Sequence, residues 1–312
     1  MKNKFAILII IMFLIIGGGI GVTALMNKGE KKDGKEITIV TTFYPMYTIT
    51  ANLISGVDNI NLVNMTESAT GCLHDYQVTT NDMKKLENAD ILVMNGGGME
   101  SFMDDIIKSY PDLTIIDASK GIELIEGEEE SEEANGSEEL VEEANAHVWL
   151  NMNKYEQQIE NVKNGLISKL NDNNEQLKKN GEEYEEKIRI LKTEMEESLK
   201  NPVNNKVIIF HDSFSYLAEE LGLEVPYAVE IEADSSLSAG DIAKVIDEIK
   251  KNEIKVLLTE KQYGDAIAKS IANETDAKVY TIDSLVTGEL DKDSYINGMR
   301  NNLEVLKEAL YQ

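Results

Sequence analysis

Short apolar strands alternating with helices recur in two separate stretches of this chain, and that alternation constrains its fold more than any other feature. In the first stretch, 37–42, 61–64, 91–94 and 113–116 read as strands, with helical patterns at 47–54, 81–89 and 101–108. In the second, strands at 206–210, 225–228, 256–259 and 279–282 are separated by helices near 214–221, 239–251 and 266–274, and a last helix covers 294–310. This order predicts a largely parallel sheet covered on both faces. Between the two stretches, 154–199 is helical throughout, broken near 171–174. Its second helix carries Leu177, Tyr184, Ile188, Leu191, Met195 and Leu199 on a charged background, the pattern of a helix lying across a surface between domains. The expected fold is α/β: two β/α lobes, each a mostly parallel sheet flanked by helices, joined by one long linking helix. The expected boundaries are 36–172 for the N-terminal lobe, 173–200 for the linking helix and 201–312 for the C-terminal lobe.

Residues 1–35 stand apart. Lys2 and Lys4 precede an apolar run over 5–26, 22 residues without a charge. At about 1.5 Å per residue such a helix just crosses the hydrocarbon core of a bilayer. Val22-Thr23-Ala24 also resembles a signal-peptidase site, so the run is either a membrane anchor or a cleaved signal, followed by a polar tether. Both readings export the remainder of the chain. The only cysteine is Cys72, which excludes an intrachain disulfide and a lipidated cysteine after the apolar run.

With 57 acidic against 30 basic residues, the chain carries a formal net charge of -27. Nucleic acid and anionic lipid are thereby disfavoured as partners, and cations favoured. Part of the excess lies in 126–143, where ten of eighteen residues are glutamate. A run with so few apolar residues cannot offset its own ordering entropy, and it is expected to be a mobile acidic loop.

Three histidines are present: His74, His147 and His211. His211 directly follows the apolar strand Val207-Ile208-Ile209-Phe210, and Asp283 directly follows Val279-Tyr280-Thr281-Ile282. In open α/β sheets ligands gather beyond the carboxyl ends of strands. His74 falls in a loop between a strand and a helix, and His147 opens the ordered segment after the acidic run. Two such residues from each lobe supply three imidazoles and one carboxylate, a set suited to a tetrahedral metal site. Against this stands the ordinary reading of a lone histidine as a satisfied core or surface residue, and no compact pair such as His-x-x-x-His is present.

A resemblance adds to this reading. Thr41-Thr42-Phe43-Tyr44-Pro45-Met46-Tyr47 and His74-Asp75-Tyr76-Gln77 look like the opening of the metal-receptor (zinc/manganese) subfamily of ABC-importer solute-binding proteins. Ala89-Asp90-Ile91-Leu92-Val93-Met94-Asn95-Gly96-Gly97-Gly98-Met99-Glu100 and His147-Val148-Trp149-Leu150-Asn151 continue it. His211-Asp212-Ser213-Phe214-Ser215-Tyr216 and Thr259-Glu260-Lys261-Gln262-Tyr263 complete it, in the same order. The resemblance implies two metal-binding lobes, an extracytoplasmic receptor without catalysis, and delivery of the metal to a membrane permease. Carried over position by position, it makes His74, His147, His211 and Asp283 the ligands. Three departures stand out. Leu73 replaces a common proline, Asn145-Ala146 replaces an Asp-Pro pair, and the acidic run sits where many zinc receptors carry a histidine-rich loop.

Imidazole at His211 suits zinc, whereas a further carboxylate would shift the site toward manganese. Zinc is the expected metal, with manganese the alternative. A secreted zinc hydrolase would need an open metal position and a general base, and no His-Glu-x-x-His helix supplies one; a surface adhesin with a structural metal is a third reading. Asp75 and Asp212, each following a histidine, fit either an imidazole-orienting carboxylate or a solvated aspartate. Glu260 fits a structural role better than a place near the metal, and Cys72 a buried thiol better than a ligand. Gly96 to Gly98 fit a tight turn, because no lysine follows in phosphate-loop spacing.

Overall fold

A computed structural model describes residues 36–67, 73, 76–134, 137–229, 237–260 and 264–312. The apolar run at 5–26, with its anchor and cleavage readings, lies outside the described residues, as do Cys72, His74 and Asp75. Among the described residues no helix is long and apolar enough to cross a membrane.

The N-terminal lobe is a parallel sheet of β1 (Ile37–Thr41), β2 (Ile60–Asn64), β3 (Ile91–Met94) and β4 (Thr114–Asp117), in the order β2-β1-β3-β4. Its helices are α1 (Tyr44–Leu53), α2 (Thr80–Glu87) and the short α3 (Asp104–Ile107). Helix α2 starts at a capping box in which the Thr79 side chain and Asp82 satisfy each other's backbone N–H. Strand β3 is apolar and fully buried, as a strand covered on both faces must be.

The C-terminal lobe repeats the plan. Strands β7 (Lys206–Ile209), β8 (Glu224–Ala228), β9 (Val256–Glu260) and β10 (Lys278–Ile282) form a parallel sheet in the order β10-β9-β7-β8. Helices α6 (Phe214–Leu221), α7 (Ala239–Asn252), α8 (Asp265–Ala272) and α9 (Ser294–Tyr311) accompany them. In each sheet the chain order reverses between two central strands: β1 and β3 in one lobe, β7 and β9 in the other. In open α/β sheets the carboxyl ends of such strands are where ligands gather.

Two helices connect the lobes. Helix α4 (Met152–Lys169) is followed by a 3-10 turn at Asn171–Asn173, then by α5 (Asn174–Ser198). Leu177, Tyr184, Ile188, Leu191 and Met195 form the buried stripe of α5. This stripe meets α1 and α4 of the first lobe and α9 of the second. Full burial of side chains of this size is worth about 1.5–3 kcal/mol each, so the stripe is enough to fix a helix whose other faces are charged.

The acidic segment departs from expectation. Its two halves fold back as β5 (Ile125–Ala134) and β6 (Ser137–Asn145), an antiparallel ribbon separate from both sheets. Glutamates stand at opposing register positions, Glu129 with Glu142 and Glu132 with Glu139. Backbone ladder bonds need no apolar side chains, which is why composition did not reveal this pairing; opposed like charges disfavour it. A two-stranded ribbon is marginal on its own in water. Deleting residues 128–139 is therefore expected to shift the melting temperature by less than about 3 °C, equivalent to about 1 kcal/mol or less for a domain this size. Thermal denaturation of the shortened protein measures it, and a large loss of stability would show that the ribbon packs onto the body.

Candidate metal centre

Strand register builds the C-terminal half of the centre. Ile209 of β7 stands opposite Leu258 of β9, and the Phe210 amide donates to the Leu258 carbonyl at 2.9 Å. Two residues further along each strand, His211 is level with Glu260. The His211 Nδ1 lies 2.8 Å from Glu260 Oε2 and 2.8 Å from Ser213 Oγ. Both side chains are buried, His211 at 3% and Glu260 at 1% exposure. The other Glu260 oxygen accepts a hydrogen bond from the Ser284 hydroxyl. Gly264 bridges back to Glu260 at φ +78°, and a Cβ there would stand 2.9 Å from that of Phe210, so glycine is required at this close approach.

The N-terminal half hangs on residues 145–151. Asn145 Oδ1 accepts from the His147 amide at 3.0 Å and lies 3.0 Å from His147 Nδ1, while Asn145 Nδ2 donates to the Asp212 carbonyl. An amide oxygen at Nδ1 assigns that nitrogen the proton and leaves Nε2 as a lone-pair donor. The His147 ring is fully buried, 5.3 Å from Trp149 and 5.0 Å from His211, nearly perpendicular to the latter. Asn145 thus orients His147 without adding a charge of its own.

Asp212 joins the two halves. Its carboxylate oxygens lie 3.4 Å from His147 Nδ1 and 3.4 Å from His211 Nε2. Among the described residues, His147, His211 and Asp212 are the group whose ligand atoms all fall within 4.8 Å of one another. Two donors on one tetrahedral zinc ion are roughly 3.3 Å apart, given metal–nitrogen bonds of about 2.0–2.1 Å. The separation of His211 Nε2 from Asp212 matches that value, whereas the His147 contact is made by the Nδ1 that faces Asn145, so His147 would meet an ion through its Nε2. Asp212 is only partly buried, yet it faces the imidazoles rather than bulk water alone. Asp283 directly follows β10 as expected, but it is exposed and is not in this group. Its Oδ1 accepts from the Leu285 amide at 2.8 Å, and its backbone N–H donates to Asn302. His74 lies outside the described residues.

The glycine turn after β3 forms the corresponding crest of the first lobe. Gly96, Gly97 and Gly98 all adopt positive φ, and a Cβ on Gly96 would collide with Asp117. The backbone N–H groups of Asn95 and Gly96 donate to Glu100, which also accepts from Thr42 Oγ1 at 2.7 Å. These amides are therefore taken by an internal carboxylate, and the turn is structural. Asn95 in turn donates to the Ala146 carbonyl at 2.9 Å, propping the segment that carries His147. Burial pushes the Glu100 carboxyl up to about 7, against the lowering effect of its hydrogen bonds.

Residues 39–309 match the family ZnuA, the periplasmic component A of the zinc-uptake complex. The chain belongs to that family. Over 311 residues it is 29% identical to the high-affinity zinc uptake system protein ZnuA of Bacillus subtilis (strain 168), covering 96% of this chain and 97% of that protein. To the zinc-binding lipoprotein AdcA of Streptococcus pneumoniae it is 28% identical, spanning 91% of this chain but 57% of that longer protein. The structure of the Zn(II)-bound ZnuA-like domain of AdcA superposes with a TM-score of 0.71 at 26% identity, over 89% of this chain and all of that domain. A ZnuA-family chain with two parallel sheets and a long helix between its lobes is the architecture expected from sequence.

Within this ZnuA-family protein, Glu100 gives a pH signature. Its raised folded value means that its contribution to stability is complete below its ordinary value of 4.5 and is lost as pH rises through about 7. Between pH 8 and pH 6 the natural protein should therefore gain about 1 kcal/mol relative to a Glu100→Gln variant, which cannot titrate. Chemical denaturation of both at the two pH values checks this; equal gains would show that Glu100 does not titrate there.

Proposed function

We propose that this protein is the extracytoplasmic zinc receptor of an ABC importer. It captures one ion between its lobes and hands it to the membrane permease. The observation that carries this reading is the meeting of His147 and His211, one from each lobe, buried with rings 5.0 Å apart beside Asp212. The zinc-uptake description of the family and the zinc-binding relatives support the choice of metal. The ligands proposed are His74, His147, His211 and Asp283, which divide the site between the two lobes taken as metal-binding units. Three imidazoles with a single carboxylate favour zinc over manganese. Four protein ligands close the shell of a tetrahedral ion, which suits a receptor rather than a hydrolase. The apolar run at 5–26 is proposed as a retained membrane tether that keeps the receptor near its permease.

Asp212 is the second candidate for the carboxylate ligand, since its oxygens approach both imidazoles. Zinc competition titrations against a chelator decide between the two. Asp283→Ala should weaken binding more than Asp212→Ala, and the reverse order would transfer the role. His147→Ala and His211→Ala should each weaken zinc binding severely; unchanged affinity and stoichiometry in both would end the proposal.

Zinc should also stabilise the fold, because an unfolded chain cannot present ligands from two lobes together. At free zinc about a thousandfold above Kd, linkage gives roughly 4 kcal/mol. Imidazole must be neutral to bind, and it ordinarily titrates near about 6.5, so the zinc-induced shift in melting temperature should shrink below that pH. A shift of constant size from mildly alkaline to distinctly acidic pH would contradict histidine ligation.

A further inference from the structure

The contacts of Glu260 give this residue a role of its own. A neutral imidazole carries one proton, and only the nitrogen without it can bind a metal. Ser213 Oγ and Glu260 Oε2 each lie 2.8 Å from the Nδ1 of His211. The hydroxyl is ambivalent. It can donate to a bare Nδ1 or accept from a protonated one, so Ser213 alone permits either tautomer. The carboxylate can only accept. Glu260 Oε2 is buried, makes no hydrogen bond among the described residues, and lies 2.8 Å from this ring nitrogen, so an Nδ1–H is the donor within its reach. With the proton on Nε2, this buried carboxylate oxygen would face a lone pair and have no donor within reach, which is strongly unfavourable.

We infer that Glu260 is the positioning residue of the centre, fixing His211 as the Nδ1–H tautomer so that Nε2 is presented to the metal. This rests on the reading of His211 as a zinc ligand. Glu260 cannot turn away, because its second oxygen is held by the Ser284 hydroxyl. Ser284 is anchored in turn: its carbonyl accepts from the indole N–H of Trp149 at 2.8 Å, across the seam between the lobes. The chain of contacts therefore runs from Trp149, two residues beyond His147, through Ser284 and Glu260 to His211. The orientation of one lobe's imidazole depends on a contact made by the other lobe.

The test uses the metal-free full chain at about pH 8, above the ordinary imidazole value of about 6.5. Nitrogen-15 shifts of the imidazoles report which ring nitrogen carries the proton, and a chain with three histidines allows each to be assigned by substitution. In the natural protein His211 should carry its proton on Nδ1. Glu260→Gln offers a donor as well as an acceptor, so the proton should move partly or wholly to Nε2 and zinc affinity should fall about 10- to 100-fold, the usual range for losing an orienting partner. Ser213→Ala should leave the tautomer unchanged. Should Glu260→Gln fail to fold, Ser284→Ala, which keeps the carboxylate but frees it to swing, should weaken zinc binding by a smaller factor. An Nε2–H tautomer in the natural protein, or a folded Glu260→Gln variant with zinc affinity within about twofold of natural, would overturn the inference. A natural protein that binds no zinc, yet shows the Nδ1–H tautomer lost on Glu260→Gln, would remove the receptor reading and leave the positioning role standing.

Discussion

The seam around Trp149 is the constraint on which the rest of the arrangement depends. This single tryptophan is fully buried, with its ring edge-on to Phe43 at 5.1 Å and its indole N–H given to Ser284 of the other lobe. Its backbone carbonyl accepts from the Tyr295 hydroxyl of α9, and Tyr295 stacks on Tyr155 of α4 at 4.0 Å. A buried aromatic with both its surface area and its polar tip satisfied is among the strongest local anchors a protein can build. Here it sets the separation of the lobes within two residues of His147 and one residue of Asp283. Glu219 and Glu220 of α6 extend the seam by accepting from Asn151 and Asn153. His147 is therefore held from both sides, although in chain order it belongs to the first lobe.

Much of the fold was readable because its signals are local. The strand Val207-Ile208-Ile209 and the helix at Phe214–Leu221 follow from apolar runs and their spacing, and the break at Asn171–Asn173 follows from four consecutive polar turn-formers. The stripe on α5 was legible residue by residue, since a helix with few apolar positions leaves no choice about which face is buried. The β5–β6 ribbon was not legible. Its pairing comes from backbone groups that every residue carries, and its glutamates argue against any packed element.

The centre was legible to the extent that it lies at strand ends. His211 could be placed beyond β7 from its own sequence, while His147 was assigned as its partner through the resemblance to the metal-receptor subfamily. Glu260 and Asn145 were harder, because their roles depend on which strands are neighbours. The signal was nevertheless present in two parallel phrases, Val207-Ile208-Ile209-Phe210-His211 and Val256-Leu257-Leu258-Thr259-Glu260. Aligned as adjacent parallel strands, they bring the imidazole level with the carboxylate. What sequence could not supply was the strand order β10-β9-β7-β8, which makes those two phrases neighbours. Asn145 was counted as a departure from an Asp-Pro pair, whereas its amide performs the orienting task with a dipole in place of a charge.

That substitution bears on how the buried site balances charge. A formal net of -27 draws cations toward the whole surface, but exposed charges beyond about 8–10 Å are screened at physiological salt and cannot choose among ions. Selection falls to the groups that touch the ion or its ligands, where desolvation makes any uncompensated charge expensive. A divalent ion held by three neutral imidazoles and one carboxylate retains a net charge of one. Glu260, sealed behind His211, supplies the remaining negative charge through the ring. Had Asn145 been a carboxylate facing His147 in the same way, it would have added a further negative charge beside Asp212 and Glu260. On the proposed ligand set, a neutral amide at His147 keeps a further buried carboxylate away from a region that already holds Glu260 and Asp212.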